Sequence, residues 1–198
     1  NDKKLDAILR RACDRLVVWQ SPDGRVDRMY PHLHANATVT ALAGLSWLAY
    51  DAKGYEKNIQ MAAKCMVRLE SQPDDRVLSL WTFAQATWFL AEYVIATKDT
   101  SVYEDLKRLA GIVASYQRSN GGWGHKAGPI PGVRYDALAI ATVQAMIALG
   151  AASYAGVPFD PDVERKGLEY LTACLDAKGG IGYEPVKPGQ FFKEIGRA

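Results

Sequence analysis

The chain has 198 residues, enough for one substantial domain, and its 24 lysines and arginines are interspersed with 22 acidic residues rather than gathered into blocks, which leaves no footprint for nucleic acid or an anionic membrane. No apolar run approaches the ~18 residues that cross a bilayer, so the sequence reads as a soluble domain. Cys13, Cys65 and Cys174 are odd in number and far apart, which excludes a disulfide framework or zinc knot and marks them as free thiols that suit either redox compartment.

From the N-terminus, Asn1-Asp2-Lys3-Lys4-Leu5-Asp6 is the polar start of a helix, not a basic stretch followed by an apolar signal core. A repeat then sets the organisation. Residues 11–26, 62–77, 108–123 and 166–181 align without a gap and recur roughly every 50 residues, the spacing of stacked units that cannot bury an apolar face alone. They share an aliphatic residue (Leu16, Val67, Val113, Leu171), then Gln20, Ser71, Gln117 or Leu175. Where the helical pattern breaks stand Gly24, Asp75, Gly121 and Gly179, glycine being favoured just past a helix because it accepts a left-handed backbone. Val26, Val77, Trp123 and Ile181 close the units.

Alanine-rich stretches at 36–52, 78–97 and 135–155 lie between the repeats and predict a second class of helix. Ala37-Thr38-Val39-Thr40-Ala41 recurs as Ala141-Thr142-Val143-Gln144-Ala145, so these helices are also related to one another. The first class carries charge on one face and belongs outside; the second is apolar almost all round and belongs inside. The expected fold is all-α: helical hairpins with about four outer and three inner helices.

The repeated segment resembles the QW motif of squalene and oxidosqualene cyclases. Lys166-Gly167-Leu168-Glu169-Tyr170-Leu171 with Gly179 matches its first half, and Gln117, Gly121 and Trp123 its second, while Leu175 and Ile181 stand where Gln and Trp belong. Gly121-Gly122-Trp123-Gly124-His125 through Pro131-Gly132-Val133-Arg134-Tyr135 is similar to a turn of protein prenyltransferase β-subunits. The resemblance, which spans nearly the whole chain, implies a partial α/α toroid with inner helices lining a cavity. It implies that Gln20, Gln117 and Trp123 tie hairpins together, with Gly24, Gly121 and Gly179 as turn glycines. Complete toroids of this superfamily have more hairpins, so the resemblance also implies a fragment of a longer protein. Its partners would be further domains of that protein, or a second copy meeting the open edge.

The chemistry of the superfamily does not carry over. Gly132 and Arg134 stand where a prenyltransferase has zinc-binding Asp and Cys, and arginine is no thiolate. The cyclase acid motif D-x-D-D is absent, Asp74-Asp75 reading as turn formers, and so is the Cys-Gly-Glu-Gln thioester. No serine elbow or phosphate loop occurs. No cofactor is expected.

Inner-helix starts would present His34, Asn36, Trp81, Gln85, Trp88, Tyr135, Asp136 and Gln144 at the cavity end, joined by His125 from its glycine-rich turn. Aromatic rings with a few convergent polar groups suit an organic ligand or a peptide. The leading expectation is therefore a non-catalytic ligand-binding or interaction module. The alternative is an enzyme on isoprenoid-like or polysaccharide substrates, with Asp136 and His34 as acid/base candidates. No metal site is expected; the one alternative is His32, His34 and His125, with Asp27, if two turns meet.

Overall fold

A computed structural model of the chain describes residues 2–26, 33–69, 79–128, 136–176 and 178–185. Asp27, His32, Ser71, Asp74, Asp75, Val77, Gly132, Arg134 and Tyr135 lie outside the described residues, as do the side chains of His34 and Asn36. Among the described residues there are seven α-helices and no strands: α1 (Asp2–Trp19), α2 (Leu33–Asp51), α3 (Glu56–Met66), α4 (Ser79–Thr97), α5 (Tyr103–Ser115), α6 (Ala139–Tyr154) and α7 (Pro161–Ala173). The all-α class stands, and the helices alternate between the two expected types.

Local chemistry explains the boundaries. Asp160 caps α7 by accepting from the Asp162 amide at 2.9 Å, with Pro161 following at a position whose N–H has no helical partner. Asp99 caps the 3₁₀ turn Thr100–Val102 that leads into α5, accepting from Ser101 at 2.9 Å. Gly24, Gly121 and Gly179 take φ of 90°, 87° and 81°, as the repeat predicts. α6 begins at Ala139, later than the alanine-rich stretch predicts, because Leu138 is extended and pairs antiparallel with Trp123.

Two layers result. α2, α4 and α6 pack side by side with α4 in the middle, and α1, α3, α5 and α7 lie against them, each touching the inner helices that precede or follow it. Phe83, Phe89, Leu80 and Leu90 of α4, Trp47 of α2 and Leu106 and Leu109 of α5 are fully buried in the core that these helices share. Each such side chain contributes about 1.5–3 kcal/mol in area terms. α2 and α4 approach closely because Gly44 has no side chain: a Cβ there would lie 2.3 Å from the Phe89 ring.

Candidate functional site

The three described turns that end outer helices, those of the first, third and fourth units, are built alike. Ser21, Arg118 and Asp176 each donate their amide to the residue four places on, Arg25, Gly122 and Gly180, in every case at 2.8 Å. The first and third turns are also docking surfaces for the next outer helix. The Gln20 side-chain amide bridges the Gly24 carbonyl (3.1 Å) and the Asn58 carbonyl of α3 (2.9 Å). The Gln117 amide bridges Gly121 (2.9 Å) and Val163 of α7 (2.8 Å). A Cβ on Gly24 would meet the Met61 carbonyl at 2.0 Å and one on Gly121 the Lys166 carbonyl at 2.4 Å. Backbone therefore packs against backbone, which only glycine permits. Between α3 and α5 a different residue performs the tie: Arg108 donates to the carbonyls of Leu69 (2.8 Å) and Val67 (3.1 Å) while pairing with Asp105.

The last residues of the first and third units are anchored from the inner layer. Val26 and Trp123 donate their amides to the buried hydroxyls of Thr40 (2.9 Å) and Thr142 (3.0 Å). This corrects the inner-helix register: Thr142 corresponds to Thr40, two residues beyond the Thr38 that sequence comparison pairs with it. The Trp123 indole, fully buried, donates to the Val113 carbonyl at 2.7 Å. Gln20 and Gln117 with Gly24 and Gly121 thus link successive outer helices, and Trp123 packs close to Gly167 of α7.

The third turn continues into a polar cluster. The His125 carbonyl accepts from the Leu80 amide at 3.0 Å, satisfying one of the open donors in the first turn of α4, and its Nδ1 accepts from the Trp81 indole at 2.9 Å. The Arg118 guanidinium donates to the carbonyls of Lys126 (2.7 Å) and Ala127 and pairs with Asp136 at 3.4 Å. These side chains fasten the turn to α4 and to the approach of α6. His125 has one ring nitrogen committed to Trp81, and among the described residues no group of three or more His, Cys, Asp or Glu is placed to hold a metal ion.

A different surface has the shape of a binding site. Trp81, Gln85, Trp88 and Glu92 share one face of α4, at four- and three-residue spacing. Beside Trp88 and Glu92, a cavity of about 570 Å³ opens between α2 and α4, lined by Leu42, Leu45, Ser46, Ala49 and Ala96 as well. Its polar groups are the Trp88 indole, which donates to Glu92 at 3.3 Å, and the Ser46 hydroxyl, which donates to the Leu42 carbonyl at 2.8 Å. Apolar exposure continues along α6 at Ile140, Val143 and Ile147 and along α2 at Val39 and Leu42. α2 and α6 are therefore not buried all round, as uniform apolarity predicts, and each leaves an apolar stripe open, whereas α4 between them is buried over most of its length. Gln85, only 6% exposed, has an Oε1 with no hydrogen-bond partner among the described residues, as has the buried Nε2 of Gln144.

The family model for a domain of unknown function, DUF6288, matches residues 6–196. The chain belongs to that family. No curated protein and no solved structure matches it.

Of the residues predicted to bind ligand, α4 brings Trp81, Gln85 and Trp88 together and His125 joins Trp81, but Trp88 alone lines the cavity. Asp136 stands apart at Arg118. Sequence reasoning missed Leu42, Leu45, Ser46, Ala49, Glu92 and Ala96 because helices apolar on every side display no preferred face. It missed Arg118, whose position in the repeat holds Ser21 and Asp176 in other copies, so nothing in the pattern singled it out. The three cysteines are free and buried, and burial raises each thiol's pKa, which keeps it protonated and a poor nucleophile.

Proposed function

We propose that the chain is a non-catalytic binding module of α/α-toroid type, in which the open wall of the inner helices receives an apolar ligand. The carrying observation is the α2–α4 cavity, of a size that suits a small organic molecule, walled by Leu42, Leu45, Ala49, Trp88 and Ala96 with Glu92 and Ser46 as polar points. Kinship with the cyclase and prenyltransferase toroids belongs to the same proposal, and two observations support it. Gln20 and Gln117 link successive outer helices in the manner that the QW motif implies, and α2, α4 and α6 pack side by side with the outer helices against them. The acid/base candidate Asp136 lies outside this cavity and pairs with Arg118 at 3.4 Å.

Titration with farnesol, followed by tryptophan fluorescence, tests the proposal. A saturable change is expected that Trp88→Phe removes and Trp19→Phe, on the far layer, leaves in place. Conversion of the ligand on prolonged incubation, or a response indifferent to Trp88, would refute it.

A further inference from the structure

Of the three described turns, those at Gly24 and Gly121 are covered by an outer helix, and among the described residues none covers the turn at Gly179. The turn at 175–181 has the same backbone as the other two: Asp176 donates to Gly180 at 2.8 Å, Gly179 has φ 81°, and Leu175 pairs with Ile181 as Gln20 does with Val26. Yet a Cβ on Gly179 would meet nothing within 4 Å among the described residues, where those on Gly24 and Gly121 would run into the carbonyls of α3 and α7. Ile181 is 66% exposed and Leu175 47%, whereas Val26 and Trp123, at the position of Ile181 in their units, are fully buried. A shallow cavity of about 260 Å³ lies beside the turn, lined by Ile140, Val143, Ile181 and Tyr183.

The covered turns show what fits such a surface: the first half of an amphipathic outer helix, its carbonyls against the glycine and its side chains against the turn. α1 is a helix of that kind, and it bears unpartnered apolar residues in the same place, Leu5, Ile8 and Leu9, all at least 45% exposed. In the gapless register of the repeats, Ile8 and Arg11 correspond to Val163 and Lys166, whose carbonyls lie against the Gln117–Gly121 turn, while Asn58 and Met61, whose carbonyls lie against the first turn, correspond to the neighbouring Ala7 and Arg10. Leu175 replaces the glutamine of the covered turns, so apolar contact takes the place of the amide bond, and it would face the apolar Ile8. Arg11 on α1 is opposite in charge to Asp176, whose carboxylate accepts from the Lys178 and Gly180 amides within the turn.

We propose that the Leu175–Ile181 turn is a docking surface for α1 of a second copy of this chain, giving head-to-tail association that repeats the internal packing of outer helices. Such a contact is heterologous, with different patches on the two partners. Ile8→Glu and Ile181→Glu, both at exposed positions that tolerate charge in the free chain, provide the test by sedimentation and light scattering. The wild-type mass is expected to rise with concentration, each variant alone to stay monomeric, and an equimolar mixture of the two to give a one-to-one dimer, since each variant retains the surface the other lacks. A wild-type chain that stays monomeric to millimolar concentration overturns the proposal, and is the result expected if residues 186–198 or another segment cover the turn. So does association that survives in either variant alone, or a mixture that remains monomeric.

Discussion

The side-chain amide of Gln117 donates to the main-chain carbonyl of Val163 at 2.8 Å and so fastens the end of α5 to the first turn of α7. Gln20 makes the equivalent bond to Asn58. Each glutamine also holds its own turn closed, at Gly121 and Gly24. Gln117→Leu, which places in this unit the residue that the last unit already carries, removes both bonds at a part-buried site. It is expected to cost about 1–3 kcal/mol, read as a lower urea midpoint. An unchanged midpoint would remove the glutamine from the account of how hairpins are joined.

Thr142 and Thr40 test the link between layers. Their hydroxyls are the acceptors for the buried amides of Trp123 and Val26, so replacing either by valine keeps the shape and leaves an N–H without a partner. Thr142→Val and Thr40→Val should each lose about 1–3 kcal/mol. Thr38→Val should lose little, and a loss there equal to that at Thr40 would reverse the register correction.

Glycines in the helices should respond with opposite signs. At Gly44 an added methyl meets the fully buried Phe89 ring, so Gly44→Ala is expected to destabilise by about 1–3 kcal/mol through overpacking. At Gly111, inside α5 and exposed, nothing lies within 4 Å, so Gly111→Ala is expected to stabilise by about 0.5–1 kcal/mol from helix propensity. Thermal melts of the pair decide this; the same sign for both would mean that α2 and α4 do not approach as described.

These residues show where the sequence was legible. Turn glycines and the glutamines were readable because each follows from local backbone need at a fixed place in a repeat. The inner-helix register was not, since Ala-Thr-rich helices align almost as well two residues out of step and only the amide received by Thr40 chooses between them. The cavity was illegible for a related reason: in a helix apolar on all sides, the face left open depends on which neighbours pack against it. His125 drew attention as a ligand but serves to join Trp81 and the start of α4, a role that depends on a contact across 44 residues of chain.

Asp99 gives the pH dependence. Its carboxylate accepts from the Tyr93 hydroxyl at 2.6 Å and from Ser101, and these bonds, Tyr93 first, lower its pKa below the ordinary value. A group depressed by folding contributes stability above its unfolded pKa and loses that contribution as pH falls through the folded one. Asp99→Asn should therefore melt below the wild type at neutral pH, and the gap should close below about pH 4. A gap of equal size at pH 3 and pH 7 would show that the charge is not what Tyr93 and Ser101 stabilise.

The most direct test of the central claim is calorimetry of farnesol binding to the wild type and to Leu42→Glu. Leu42 lines the α2–α4 cavity yet is 43% exposed, so the charge is tolerated in the empty protein and penalised only when an apolar molecule covers it. Saturable one-to-one binding with a negative heat-capacity change, abolished by Leu42→Glu without loss of melting temperature, is the predicted result. Absence of saturable binding in the wild type, or equal binding by the variant, would contradict the inner-helix wall as the site.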